Sequence, residues 1–286
     1  MKIAIVLPVR RAERTLRVTV ASLMSQLGSL DAEVIVTACE LDPCVSMVRD
    51  LRSHASLRVV VTPGLRSIPQ LRRDAVAATG AEFVVITEDH CTFPPGWLSR
   101  LVAEAERGAI AGAGVLNGRK SWVGWAQYFT RYSGFLPPLP AGPIDHLPGT
   151  NACYPRAVFD RYGQLIEDGF WEAEFNAEAR KTTPLVSVEH CDVTQHQYRG
   201  AFEFVALRFR HGRCYGARRE DRQFARVPLI PAILCWRAAR AVFGKKRHRW
   251  LLFAVSPLVF LYFCAWAAGE AVGYSLGAGS ACSDTD

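Results

Sequence analysis

The sequence predicts an α/β protein with an open, doubly wound and mostly parallel sheet, followed by a C-terminal membrane helix. Up to residue 118, short apolar runs alternate with segments of helical spacing. Repeated β–α units of this kind place parallel strands side by side with helices packed over them. Near the C-terminus, Leu251–Ala268 is an uncharged run of about 18 residues, the length that crosses a hydrocarbon core.

The first part of the chain contains the alternating elements. Continuous apolar runs are typical of buried parallel strands. They read KIAIVLPV, AEVIVTAC, LRVVVTPG, AEFVVITED and AIAGAGVLNG. Helical segments separate them, namely TLRVTVASLMSQL, PCVSMVRDLRSHA, IPQLRRDAVAATG and PGWLSRLVAEAERG. In the first of these helices Leu16, Val20, Leu23 and Leu27 share one face.

The rest of the chain is organised differently. Phe135–Gly149 is rich in proline and predicts a long loop, and a short helix follows with Glu172, Glu174 and Glu178. Val227–Phe243 predicts an amphipathic helix on the inner leaflet, because two arginines interrupt its apolar residues. We therefore expect a catalytic domain at 1–215, a basic juxtamembrane segment at 216–249, a transmembrane helix at 250–276 and a tail at 277–286.

The net charge of +7 is concentrated between Arg208 and Arg249, a segment rich in Lys and Arg. Such a block favours nucleic acid or an anionic membrane surface as the partner. Because it directly precedes the apolar run, we expect a membrane and no nucleic acid. The positive-inside rule then predicts a catalytic domain on the cytoplasmic face of an inner or plasma membrane. An in-plane or soluble-core helix is the alternative to a spanning one.

The nine cysteines include no CxxC pair, so the sequence gives no sign of a structural zinc site. For a chain on the cytoplasmic side, we expect free buried thiols rather than disulfides.

The stretch TEDH ends the strand-like run Phe83–Thr87 with two carboxylates and an imidazole. Residues two apart in an extended chain point to the same side, so Glu88 and His90 are placed to share one divalent cation. Carboxylate oxygen suits Mg²⁺ or Mn²⁺, and imidazole shifts the preference toward Mn²⁺. A polar strand end that faces solvent is the alternative.

Several stretches in order along the chain resemble the family 2 glycosyltransferases, which have the GT-A fold. They are LPVRRAERTL after the first strand, IPQLRRDAVAATGAEFVVITEDH, the following PPGWL, and PGTNACYPRAVFDRYG. The family's Asp-x-Asp motif falls on Glu88–His90, with histidine in place of the last aspartate. The arginine of its Arg-Asn pair matches Arg72. Its Glu-Asp motif, which supplies the catalytic base, falls on Trp171 and Glu172.

The resemblance covers roughly residues 1–215 and implies inverting, metal-dependent sugar transfer from a nucleotide-diphosphate donor. It implies Glu172 as the catalytic base, with Glu174 as the rival, and Glu88 and His90 as ligands of Mn²⁺ or Mg²⁺. The family often has Asp-Asp after the second strand, where this chain offers Glu40 as a substitute. The nucleotide-sugar-binding residues are then Pro8, Val9, Arg10, Glu40, Arg72, Glu88 and Asp89.

The expected acceptor is lipid-linked or a polysaccharide, because an anchored active site favours substrates at the bilayer. A catalytically inactive relative that binds a nucleotide sugar or acts as a scaffold is the other interpretation. His196 lies where the family often has a histidine near the diphosphate. It is either such a contact or an ordinary surface histidine.

Overall fold

A computed structural model describes residues 2–53, 55–197 and 199–283. The strands are Ile3–Val9 (β1), Ala32–Cys39 (β2), Leu57–Thr62 (β3), Phe83–Thr87 (β4), Cys91–Thr92 (β5), Ile110–Gly112 (β6), Val115–Asn117 (β7), Gly142–Pro143 (β8), Asn151–Pro155 (β9), Leu185–Ser187 (β10) and Val193–Gln195 (β11). The helices are Leu16–Leu27 (α1), Val45–Asp50 (α2), Ile68–Ala77 (α3), Trp97–Ala105 (α4), Trp122–Tyr132 (α5), Arg156–Tyr162 (α6), Glu172–Ala179 (α7), Ala201–Arg218 (α8), Ile230–Gly244 (α9) and Arg249–Leu276 (α10).

The main sheet has eight strands in the order β3-β2-β1-β4-β9-β6-β10-β8. β1 pairs in parallel with β2 and β4, β2 with β3, and β6 with β10. β9 is antiparallel to both of its neighbours, and β8 is antiparallel to β10. This confirms the predicted α/β class with a mostly parallel sheet. A smaller sheet has the order β5-β11-β7.

Local sequence chemistry explains where the early elements begin and end. α1 has the predicted bounds, and Leu16, Val20, Leu23 and Leu27 are all buried. α3 begins with a capping box, in which Ser67 accepts from the Gln70 N–H and the Gln70 side chain accepts from the Ser67 N–H. α2 is shorter than the pattern suggests, because only residues 45–50 are α-helical and a 3₁₀ turn follows.

The run AIAGAGVLNG is the point where the sequence pattern was misleading. We predicted one strand there, but the chain forms β6 and β7, which belong to different sheets. β9 was not predicted at all, although it lies in the middle of the main sheet between β4 and β6. An antiparallel strand of five residues leaves little periodic signal, and its place depends on pairing with strands distant in the chain.

The described chain divides into two compact units. One comprises residues 1–116 and 137–196 and contains the main sheet. Its core includes the apolar side chains of β1, β4 and β9 together with an aromatic group at Tyr154, Phe159, Phe170 and Phe175. These four rings pack with centroids 4.9–5.9 Å apart.

The second unit comprises residues 117–136 and 197–286. The regular elements described in it are mainly helices. Two of its segments, Phe224–Gly244 and Arg249–Leu276, are long and apolar enough to cross a membrane by length and composition. The predicted apolar helix at Leu251–Ala268 therefore lies within α10.

The cysteine prediction was partly wrong. Cys214 on α8 and Cys282 after α10 form a disulfide. Packing of α8 along α10 brings the two residues together across a sequence separation of 68, which no local pattern reports. The other seven cysteines are not in a disulfide within the described residues, and Cys39, Cys44, Cys91, Cys153 and Cys191 are buried.

Candidate active site

The carboxyl ends of β1 and β4 lie side by side, because the two strands pair in parallel from Ile3 with Phe83 to Val6 with Ile86. The Arg10 backbone N–H donates to Asp89 Oδ2 at 2.8 Å, and both residues are buried. The second oxygen, Asp89 Oδ1, lies 2.8 Å from His90 Nδ1. Asp89 therefore fixes the loop after β4 to the loop after β1.

The Glu88 and His90 side chains meet, as predicted, although residues 89 and 90 form a turn and not the extended chain on which the prediction was based. Glu88 Oε2 lies 3.0 Å from His90 Nε2, and both side chains are largely buried. Burial opposes protonation of His90, but its hydrogen bond to Asp89 and its close contacts with the Asp89 and Glu88 carboxylates outweigh this and raise the pKa of His90 to about 9. The pair is thus a carboxylate and an imidazole held within contact distance.

Arg72 lies at the centre of the site. Its side chain is only 3% exposed. Nη2 donates to Glu88 Oε1 at 3.0 Å and to the Gly149 carbonyl at 3.3 Å, while Nη1 donates to Glu172 Oε2 at 2.7 Å. One guanidinium therefore joins the carboxylate at the end of β4 to the carboxylate at the start of α7.

The start of α7 is tied directly to α3, the helix that carries Arg72. The Phe170 N–H donates to the Pro69 carbonyl at 2.7 Å, and the Phe170 ring is fully buried. Gly169 has a φ of +143°, and a Cβ there would lie 2.9 Å from the Pro69 Cβ. Only glycine therefore permits this approach, which places Glu172, the first residue of α7, opposite Arg72.

Gly149 also borders the Glu172 carboxylate. A Cβ on Gly149 would lie 2.6 Å from Glu172 Cδ and 2.7 Å from Oε1. The segment is held on its other side, because Thr87 Oγ1 donates to the Thr150 carbonyl at 3.0 Å. Sequence reasoning used this segment only as part of the family resemblance and missed the contact with Glu172. The sequence feature that could have indicated this contact is the glycine of PGTN, just before β9.

The other predicted residues lie around this centre in different ways. Pro8 and Val9 are the last residues of β1, buried and in register with Thr37 and Ala38 of β2. Their side chains therefore belong to the core. Glu40 follows β2 and its side chain is exposed, while its backbone N–H donates to the Thr62 carbonyl at 2.9 Å. The contacts just described bring together Arg72, Glu88, His90 and Glu172, without Glu40.

Asp42 is a residue of this region that the sequence analysis missed. It is buried and accepts from the Arg11 N–H at 3.2 Å and from the Cys44 N–H at 2.8 Å. Arg11 has a φ of +52° in the loop after β1. Asp42 thus holds a strained loop in place. The sequence feature that could have indicated it is an acidic residue within three positions of the end of β2.

His196 lies close to the site without joining the group at Arg72. Its Nε2 is 3.0 Å from Thr92 Oγ1, and its backbone N–H donates to the His90 carbonyl at 2.7 Å. Burial and the nearby charge of His90 lower the pKa of His196. His196 is thus a half-buried histidine beside the loop after β4.

Glu88 and His90 are the residues that would hold a divalent cation. Their facing atoms are 3.0 Å apart, the separation of two adjacent ligands on an octahedral ion with bonds of about 2.1 Å. His90 Nε2 is buried and makes no hydrogen bond of good geometry within the described residues. No group of three or more His, Cys, Asp or Glu side chains is arranged for a metal in that part of the chain. A Mg²⁺-type site needs few protein ligands when substrate phosphates complete its shell.

A sequence profile described as Glycosyl transferase family 2 matches residues 4–163. The chain belongs to this family. The matched region contains Arg72 and Glu88–His90, and Glu172 lies beyond it. The family 2 glycosyltransferase assignment confirms the resemblance seen in the sequence and identifies the chain as a glycosyltransferase. No curated protein matches the chain.

Solved structures show the same GT-A fold. TarS 1-349 from S. aureus, in complex with UDP-GlcNAc, is 13% identical with a TM-score of 0.53, and the match covers 96% of this chain and 92% of TarS 1-349. The mannosyltransferase PcManGT from Pyrobaculum calidifontis, in complex with GDP-Man and Mn²⁺, is 15% identical with a TM-score of 0.58, covering 96% and 87%. GalNAc-T7 with UDP, GalNAc and Mn²⁺ is 16% identical with a TM-score of 0.51, covering 70% and 44%.

Proposed function

We propose that this family 2 glycosyltransferase transfers a sugar from a nucleotide-diphosphate donor to a lipid-linked or polymeric acceptor, with inversion at the anomeric carbon. The observation that carries the proposal is the Glu88–Arg72–Glu172 contact, which joins a diphosphate-side carboxylate to a base-side carboxylate. A single displacement needs the group that binds the leaving diphosphate and the base that takes the acceptor proton on opposite sides of one sugar. Similar proteins in complex with UDP-GlcNAc and GDP-Man support the donor class.

Glu172 is the proposed catalytic base. Its side chain is one-third exposed, so an incoming acceptor hydroxyl has access to the carboxylate. Glu172 takes the proton of this hydroxyl as the oxygen attacks the anomeric carbon. The bond from that carbon to the diphosphate oxygen breaks at the same time, and the nucleoside diphosphate leaves with the electron pair. Arg72 and Gly149 hold the carboxylate in position for the proton transfer.

Glu88 and His90 are the proposed ligands of Mn²⁺ or Mg²⁺. The 3.0 Å approach of their facing atoms supports this assignment, as does Mn²⁺ in two of the similar structures. A bound cation supplies charge neutralisation of the departing diphosphate. The proposed donor site also includes the end of β1 at Pro8 and Val9 and the following Arg10, with Glu40 toward the base. Asp89 orders it by accepting from the Arg10 N–H.

The acceptor is proposed to be presented at the cytoplasmic face of a membrane. The two long apolar segments of the second unit support membrane association. The basic residues between them support an anionic surface over nucleic acid, since they directly adjoin the apolar helices.

The test uses the purified full-length chain and a panel of nucleotide sugars. Release of nucleoside diphosphate is measured with Mn²⁺, with Mg²⁺ and with chelator, in the absence and presence of polyprenyl phosphate as a lipid acceptor. We expect release from one class of donor that depends on the cation and is stimulated by acceptor, with an inverted anomeric centre by NMR. Donor binding without release under every condition would instead identify an inactive nucleotide-sugar-binding relative.

A further inference from the structure

The helices α9 and α10 form an antiparallel hairpin that exposes many large apolar side chains. The Phe224 ring, just before α9, lies 5.2 Å from the Tyr274 ring near the end of α10. Exposed large side chains recur with the same spacing on each helix, at Ile233, Trp236 and Phe243 on α9 and at Trp250, Phe253 and Phe260 on α10. Residues three, seven and ten apart share one side of a helix, so α10 presents an apolar stripe. The same side of α9 also carries Arg240, whose guanidinium lies 5.5 Å from the Trp236 ring centroid.

The other side of α10 is covered by α8, which runs parallel to it. The Phe204 ring lies 4.6 Å from the Tyr262 ring at one end, and Gly216 packs on the Glu270 backbone further along. Glycines at each contact let the backbones approach closely, because a Cβ on Gly212, Gly216, Gly269 or Gly273 would overlap the facing helix. α8 is therefore fixed along the second half of α10.

This packed helix carries many charges. The Arg208 guanidinium lies 4.4 Å from the Trp266 ring centroid, and Arg213 Nε donates to the Gly277 carbonyl at 2.9 Å. Arg208 is buried and pairs with no carboxylate within the described residues. Arg210 and Arg218 belong to the same helix. If α10 crossed a bilayer, these charges would lie at the depth of the hydrocarbon, where each arginine costs about 2.5–3.5 kcal/mol or more.

The part of α10 that remains is too short to cross. It extends from Trp250 to Leu261, before the ring contact of Tyr262 with Phe204 of α8. Twelve helical residues span about 18 Å, whereas a hydrocarbon core is about 30 Å thick. α9 is interrupted by Arg237 and Arg240, which are both exposed. α10 therefore has one exposed apolar side and one side covered by the charged helix α8. This arrangement is typical of a helix that lies in the plane of a membrane surface.

The charges of the loop between α9 and α10 indicate which kind of surface the hairpin binds. The loop contains Lys245, Lys246 and Arg247, and Arg249 begins α10. Lys245 is half-buried and the other three are exposed. Exposed Trp236 and Trp250 suit the headgroup level. We propose that the α9–α10 hairpin lies in the plane of one anionic membrane leaflet and does not cross it. This rests on the proposed membrane association but not on catalysis.

The first experiment measures on which side of the membrane three sites lie in the full chain. Epitope tags are placed at both ends, and trypsin sites already exist in the 245–249 loop. Sealed vesicles are prepared in both orientations and treated with trypsin from outside. In-plane docking predicts that both tags and the loop are cut in the same orientation only. Protection of the C-terminal tag there would indicate one crossing, and protection of the loop would indicate a spanning hairpin. Either result overturns the proposal.

The second experiment measures binding of the purified chain to preformed vesicles. Replacing Lys245, Lys246 and Arg247 together by Gln should weaken binding to anionic vesicles roughly 100-fold, at about one factor of five per charge. Phe253→Ser should also weaken it, while Val18→Ser, an exposed apolar residue on α1, should not. Equal binding of all variants, or equal binding to zwitterionic vesicles, would overturn the proposal.

Two controls distinguish membrane docking from loss of catalysis and from self-association. Glu172→Gln should bind vesicles like the unaltered chain, so loss of transfer activity and loss of docking are distinguishable. Sedimentation without vesicles tests whether the stripe instead joins two copies of the chain. A dimer that Phe253→Ser dissociates, with no binding to anionic vesicles, would replace the leaflet with a second copy as the partner.

Discussion

Arg72 and Glu172 meet at 2.7 Å between Nη1 and Oε2, although 100 residues separate them in the chain. The same guanidinium contacts Glu88 at 3.0 Å. A buried arginine that bridges two carboxylates fixes the distance between the donor side and the base side of the proposed reaction. Substitutions at each of these groups test the arrangement one residue at a time.

Glu172→Gln removes the proposed base and keeps the side-chain shape. We expect turnover to fall at least about 100-fold, because general base catalysis typically contributes 10²–10⁴. Donor affinity should stay within a few-fold. The measurement is single-turnover sugar transfer with donor binding by calorimetry. Glu174→Gln, an exposed residue on the first turn of α7, is the matched control. If Glu174→Gln abolishes turnover and Glu172→Gln does not, their roles are exchanged.

Arg72→Met leaves Glu88 and Glu172 facing each other without their shared cation. Removing one partner of a buried ion pair typically costs 3–5 kcal/mol. Glu172 is one-third exposed, so we expect a loss of about 3 kcal/mol in the free energy of unfolding. Urea denaturation measures it. Arg73→Met next to it, which loses Asp74 on the same helix and an exposed bond to the Glu167 carbonyl, should cost less, at about 1 kcal/mol.

Arg72→Lys keeps the positive charge at this position but removes the planar guanidinium. One ammonium cannot reproduce the two directed guanidinium contacts. We expect most of the stability to return and turnover to remain low, since Glu172 loses its orientation. Full turnover in the lysine variant would show that only the charge matters.

Gly149→Ala should displace the Glu172 carboxylate without removing any reacting group, because the new Cβ would lie 2.6 Å from Glu172 Cδ. A shift of about 1 Å in a reacting group can cost up to about 100-fold in rate. We therefore expect kcat to fall by tenfold or more while the donor KM changes little. Gly163→Ala is the control, since a Cβ there meets nothing within 4 Å. Unchanged kcat in the Gly149 variant would remove Gly149 from this role.

His90→Ala should raise the Mn²⁺ concentration for half-maximal donor cleavage by at least about tenfold, because it removes a proposed ligand. His90→Asp should restore cation binding and favour Mg²⁺ more, since oxygen replaces nitrogen in the ligand set. Metal titrations of nucleoside diphosphate release measure both. His146→Ala, an exposed histidine, should leave the titration unchanged. A normal Mn²⁺ response in His90→Ala would exclude His90 as a ligand.

The sequence predicted where β4 ends and that the side chains of Glu88 and His90 lie together. Glu88 and His90 follow a buried run and their side chains do meet, but residues 89 and 90 form a turn, so the alternation of an extended chain is not the cause. Arg72 and Glu172 could be named from the family resemblance. Their mutual contact could not, because it depends on the backbone bond between Phe170 and Pro69 and on the close approach at Gly169.

The misses have a common physical origin. β9 lies between β4 and β6 and determines where Gly149 and Thr150 approach the site. Its five residues carry no signal of direction or neighbour, since strand pairing is decided by partners distant in the chain. The Cys214–Cys282 disulfide similarly follows from the glycine contacts between α8 and α10. An odd cysteine count cannot report such contacts.

By itself, the sequence determined the α/β class, the family and the residue types that supply the proposed chemistry, because these depend on local periodicity and on motifs within a few residues. Only the tertiary structure decided that one buried arginine joins Glu88 to Glu172, and that a charged helix covers half of α10. Both are contacts between segments far apart in the chain. They form only when burial of the apolar surfaces has already brought those segments together.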